Sequence, residues 1–155
     1  MMKILTFFLV FLFLGCSSSN LDSKIVYIDN IKVFESFEMK KDYDKKIENE
    51  VKGDREELDN LIDLLNSTKD ELELIKLKKV FVEKKQLFES NFQDLAKTYT
   101  NMVNSRLNEY LKKYANTHNI SFILGGTGQG NVMYVNDQSD ITDKVIEFIN
   151  HSYNE

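Results

Sequence analysis

The sequence predicts a mainly α fold with a small β body: a long antiparallel helical hairpin, a coiled-coil arm, flanked by short strands. Three observations predict it. Residues 31 to 118 hold no proline and a single glycine, Gly53. Apolar residues inside this stretch recur at steps of three and four, as in Phe88, Phe92, Leu95, Tyr99 and Met102, which is the spacing of one helical face. β-rich runs lie on both sides of it.

A chain of 155 residues has room for one domain. It opens with Lys3, the apolar run Ile4 to Leu14 and the small residues Gly15 and Cys16, the layout of a secretory signal peptide over residues 1–15. Such a run is too short to cross a bilayer as a helix. Cys16 is the single cysteine, and an exported chain with one cysteine forms no internal disulfide. The ending Leu12-Phe13-Leu14-Gly15-Cys16 resembles the lipobox of bacterial lipoproteins, with Phe13 where that pattern prefers Leu. The resemblance implies lipidation of Cys16 and cleavage before it; the other reading is an ordinary signal peptide with an incidental cysteine. Acyl chains on Cys16 would anchor the protein, with residues 16–23 as a tether. Ser17 in place of Asp points, under the enterobacterial sorting rule, to the outer membrane.

Residues 24–155 read as the folded domain. Lys24 to Asp29 predicts a strand with Val26 and Ile28 on one face, and Asp29 or Asn30 caps the helix that follows. The first arm carries Val33, Phe34, Phe37, Tyr43, Ile47, Val51, Leu58, Ile62 and Leu65, of which Val51, Leu58 and Leu65 fall at heptad spacing. Thr68 with Glu71 three residues on reads as a capping box, placing the turn at Asn66-Ser67-Thr68. Equal arms would place the tip near Leu72 to Ile75 instead. The second arm has a seam at Phe81, Phe88, Phe92, Leu95, Tyr99 and Met102, then Val103, Leu107, Leu111, Tyr114 and His118, an offset that reads as a stutter. Arms of this kind are on the order of 55 to 75 Å long.

Beyond the arm, Ile120 to Leu124 and Val132 to Val135 bracket a glycine-rich loop and read as a β-hairpin. Asp140 and Thr142 are caps for a short amphipathic helix with Ile141, Val145, Phe148 and Ile149 on one face. Three short strands and one helix form a poor isolated core with unpaired edges, so self-association is expected. Its body residues are Val26, Ile28, Phe122, Leu124, Val132 and Tyr134.

The chemistry-bearing features are few. A formal charge of −5 argues against nucleic acid as a partner. The loop Gly125-Gly126-Thr127-Gly128-Gln129-Gly130 lacks the Gly-Lys-Ser/Thr ending of a phosphate loop, and no helix is expected directly after it, so it reads as a turn and not a nucleotide site. With His118 and His151 the only histidines, no metal cluster and no nucleophile with its base is assembled, and no cofactor or enzymatic activity is expected. Asp140 and Asp143 sit where acids stabilise a helix start. Phe81, Phe88, Phe92 and Tyr99 read as seam residues of the hairpin. The competing reading has some of them, with the off-seam Leu87, contact apolar segments of a client.

The start Lys24-Ile-Val-Tyr-Ile-Asp-Asn-Ile-Lys-Val-Phe34, the long charged hairpin, and the ending Ile123-Leu-Gly-Gly-Thr-Gly-Gln-Gly-Asn-Val-Met-Tyr134 with Asp140-Ile-Thr-Asp-Lys-Val-Ile146 together resemble the Skp/OmpH family of periplasmic chaperones. The resemblance implies a homotrimer with a central β-body and projecting arms that hold unfolded outer-membrane proteins without ATP. The best-known members are basic and soluble, whereas this chain is acidic and carries a lipobox-like segment. A structural or adaptor coiled-coil lipoprotein of the envelope is the alternative reading.

Overall fold

The structure is a computed structural model that describes residues 23–155 except Asn131. The expected signal peptide, Cys16 and the expected tether through residue 22 lie outside the described residues. β1 (Ile25–Asp29) alternates as its sequence does, with Val26 and Ile28 buried and Ile25 exposed. Asp29 caps the short helix α1 (Asn30–Ser36), its Oδ1 accepting from the Lys32 amide at 2.9 Å. α2 (Glu38–Ser67) and α3 (Glu71–Thr117) form the antiparallel arm.

Two boundaries differ from the sequence expectation. The arm does not begin at Ile31: the helix breaks at Phe37, whose ψ of 121° is extended. The ring of Phe37 is fully buried, and holding it in the core outweighs helical continuity. At the tip, Thr68 and Glu71 form no capping box. The Thr68 and Ser67 hydroxyls instead donate to the Leu64 carbonyl at 2.8 and 3.2 Å, closing α2. Asp70 caps α3 by accepting from the Glu73 amide at 2.8 Å. α3 ends in a Schellman turn, with Asn119 at φ 53° and the Ile120 amide donating to the Ala115 carbonyl at 2.9 Å.

The expected β-hairpin is not formed within the chain. β2 (Phe122–Gly126) pairs in parallel with β1, Ile25 opposite Phe122 through Asp29 opposite Gly126. Val132 to Val135 lies outside any strand. The loop leaves β2 through Gly128 and Gly130 at positive φ, and the other edge of β1 is taken by a later segment. There the Tyr27 amide donates to the Ser139 carbonyl at 2.8 Å and the Ile141 amide to the Tyr27 carbonyl at 3.0 Å. Thr142 fastens the same junction, its hydroxyl oxygen accepting from the Asp29 amide at 2.9 Å and its own amide donating to Asp140.

α4 (Thr142–Asn154) closes the body. The core sits where these pieces meet: Val26 and Ile28 from β1, Val33 from α1, Phe37 at the break between α1 and α2, Val103 and Leu107 from α3, and Val145 and Ile149 from α4. At about 1.5 Å per residue α2 runs to about 45 Å and α3 to about 70 Å. The extra length of α3 is what lets one end belong to the body while the other forms the tip.

Candidate functional site

The small sheet has two unlike faces. Val26 and Ile28 are spent inside the chain's own core, with Ile123 half-buried beside them. The opposite face carries Ile25, Phe122 and Leu124, all about half exposed, and the nearby Tyr134 is 83% exposed. With Tyr27, Val132 and Val135, the side chains of Ile25, Leu124 and Tyr134 line a shallow groove of about 240 Å³. Gly126 is required under Tyr27, because a Cβ there would stand 2.5 Å from the tyrosine ring. Of the six residues expected in an oligomeric body, two are therefore interior, while Phe122, Leu124, Val132 and Tyr134 stand at or near the surface.

The arm divides along its length. Near the root its seam is dry, with Val103 and Leu107 buried. Met102 is 44% exposed, so the seam passes from Tyr99 to Val103. Farther out Val51 and Leu61 are the buried positions of α2. Tyr99 stacks on Tyr43 with centroids 4.6 Å apart and donates to Glu50 at 2.6 Å. That hydrogen bond to a carboxylate raises the Tyr99 pKa and keeps the phenol protonated. Lys84 pairs with Glu57 across the hairpin at 2.7 Å.

The candidate client residues fall into two groups. Phe81, Phe88 and Tyr99 are half-buried, and Phe88 stacks on Phe92 at 6.2 Å. Leu87 and Phe92 reach solvent. Sequence reasoning missed a second set: Leu64, Leu72, Ile75 and Val82 are at least half exposed. Their off-seam spacing was the available signal, and it carries little weight alone because single exposed apolar residues are common.

At the root, Phe37 meets Tyr110 and Tyr153 edge-on, at 6.0 and 5.8 Å between centroids. Burial first, then its bond to Asp42, raises the Tyr153 pKa, so its hydroxyl stays a donor. Lys40, held by Asp44 and then by Glu35, has a raised pKa and ties α1 to α2. His118 stacks on Tyr114, whose pKa burial raises. Among the described residues no group of three or more His, Cys, Asp or Glu is arranged to hold a metal ion. No helix among them is long and apolar enough to cross a membrane.

A family model described as outer membrane protein (OmpH-like) matches residues 24–149, from the first strand to late in α4. The chain belongs to the OmpH-like family. Among solved structures, this OmpH-like chain is similar to a candidate outer membrane chaperone (OmpH-like) from Caulobacter crescentus CB15, with 18% identity and a TM-score of 0.49, covering 84% of this chain and 85% of that one. A search of curated proteins gives no match. The family match spans body and arm together, so the OmpH-like chain is a member through its first strand and most of α4 as well as its long helices.

Proposed function

We propose that this OmpH-like chain is an ATP-independent holdase that binds unfolded outer-membrane β-barrel proteins in the periplasm, held at the membrane by a lipid on Cys16. The observation that carries the reading is the arm itself: an extended hairpin on a packed root, with apolar side chains such as Leu72, Ile75 and Leu87 left in water. An unfolded barrel chain exposes alternating apolar residues and unpaired strand edges. Contact with such an arm covers them and lowers the free concentration of aggregating chain by mass action. Holding of this kind needs no nucleotide and no catalytic group.

The outer face of the sheet supports self-association. Ile25, Phe122, Leu124 and Tyr134 present apolar surface beside a strand edge, and burying these against other copies would complete the body as a homotrimer. Arms from such an assembly would flank a shared space for the client.

The test uses residues 21–155 as a soluble protein. Its mass in solution is measured, and a urea-unfolded barrel protein is diluted into it without nucleotide. A trimer that suppresses aggregation is the expected result. A monomer that leaves aggregation unchanged overturns the proposal and favours a structural envelope lipoprotein.

A further inference from the structure

The N-terminal segment joins the root at the opposite end of α3 from the tip. Lys24 precedes β1, and its carbonyl accepts from the Ser121 and Phe122 amides at 2.9 and 3.3 Å. Its Nζ donates to the carbonyl of His118, the C-cap of α3, at 3.4 Å. Because α3 starts at the tip with Glu71, this junction lies about 70 Å from the tip, the length of the helix. Residues 17–23 alone separate Lys24 from Cys16, and that much chain reaches at most about 30 Å at full extension. A bilayer holding a lipid on Cys16 therefore lies close to the end of α3.

The charge at this end is unlike that of the whole chain. No Asp or Glu occurs between Glu109 and Asp137, or from Lys24 to Ile28, whereas Lys24, Lys112 and Lys113 all fall there. Lys112 and Lys113 are exposed and make no ion pair among the described residues; Lys113 stands over the Phe148 ring, 5.8 Å from its centroid. Beside them Lys144, Glu147 and His151 share a groove with Tyr114 and His118, and Glu147 is its one carboxylate. In the distal arm the balance differs, with Lys79, Lys84 and Lys85 each held by a glutamate at 3.9, 2.7 and 3.8 Å. A chain with a formal charge of −5 thus keeps uncompensated positive charge where its tether begins. Lysines within a Debye length of an anionic surface are drawn to it, while acyl chains supply the adhesion that three charges do not.

We propose that the end of the root formed by Lys24, Lys112, Lys113 and the turn at His118 rests on the anionic headgroups of the bilayer that holds the Cys16 lipid. Resting on the reading of Cys16 as lipidated, this contact points the arm away from that membrane. The tip, with Leu72 and Ile75, then meets unfolded chain about 70 Å out from the anchoring surface. An arm lying along the bilayer through Lys76 and Lys78 is the competing arrangement.

The experiment uses the full chain purified from bacterial membranes and reconstituted in phosphatidylethanolamine vesicles with and without phosphatidylglycerol. A dye is attached through a ketone-bearing phenylalanine analogue at position 116 or position 72, one per protein, and lipids with a nitroxide on the headgroup act as a short-range quencher. Asn116 is exposed at the end of α3 and Leu72 at the tip. In the anionic vesicles the dye at 116 loses its emission and the dye at 72 keeps it. Lys24→Gln with Lys112→Gln and Lys113→Gln lowers quenching at 116 roughly twofold in anionic vesicles and leaves it unchanged in neutral ones. If that variant fails to fold, high salt acting on the natural sequence gives the same comparison. Equal quenching at both positions means an arm lying flat and overturns the proposal, as does an unquenched dye at 116; quenching at 116 indifferent to the lysines and to salt overturns the headgroup contact. Mass spectrometry of the N-terminal peptide reads the lipid separately. A chain without lipid overturns the tether, and the same dyes with added anionic vesicles then decide: quenching at 116 alone keeps the surface, and none overturns it.

Discussion

The root of the arm and its distal half are built from the same helices and obey different rules. At the root, α3 packs against α4 and its buried residues share one core with those of β1 and α1, and Phe37, Val33, Val103, Val145 and Ile149 are essentially without solvent exposure. Beyond Tyr99 toward the tip, only Val51 and Leu61 are buried, and the inter-helix seam is held by half-buried leucines and aromatic rings. A pair of helices has one mutual stripe to bury, whereas the root surrounds its residues on several sides. The root is therefore the folded domain, and the distal arm is a marginal hairpin whose helices persist because the root aligns them.

Substitutions should separate the two regions. The largest effect belongs to Phe37→Ala, which empties the fully buried centre of the root and is expected to cost about 3–5 kcal/mol in urea unfolding. The next acts with opposite sign in the distal arm. Gly53 lies within α2 and an added Cβ meets nothing within 4 Å, so Gly53→Ala should stabilise by up to about 1 kcal/mol and raise the thermal midpoint. Smaller again is Lys84→Gln, which removes the exposed bridge to Glu57; a loss of about 0.2–1 kcal/mol, shrinking in high salt, is expected. Leu72→Ser with Ile75→Ser should move stability by less than about 0.5 kcal/mol, because both side chains are already in water. Under the proposed function the same pair should lower aggregation suppression, which makes it the sharpest division between the mount and the proposed client surface.

Much of the fold was legible in the residues. The long stretch without proline and the seam through Val51, Leu58 and Leu65 appear as an antiparallel hairpin whose turn falls close to Asn66-Ser67-Thr68, with Asp70 in place of Thr68 as the cap of the second helix. The β1 alternation and the Asp29 cap follow directly from local rules. The break at Phe37 was not legible, because the local pattern there is helical and the contacts that override it come from Tyr110, Asn150 and Tyr153. The pairing of β2 was missed for a related reason. A glycine-rich loop between two β-rich runs favours a hairpin by proximity, while the partner actually used lies nearly a hundred residues earlier in the chain, at β1.

The candidate client surface shows the same division. The sequence identified Phe81, Phe88, Phe92, Tyr99 and Leu87 as one set, since periodicity assigns a residue to a face but not to the atoms opposite it. The structure distributes them between a seam shared with Tyr43 and a solvent side that also includes Leu72 and Ile75.

By itself the sequence determined a helical arm flanked by β elements, with an acidic charge, because helix formation and capping depend on residues within a few turns of one another. Only the tertiary structure decided where the arm begins, which strands pair and which end of the chain holds the joint. Those outcomes rest on contacts between segments far apart in sequence, where burial of Phe37 and the two hydrogen bonds of Asn150 outweigh the local preference for an unbroken helix.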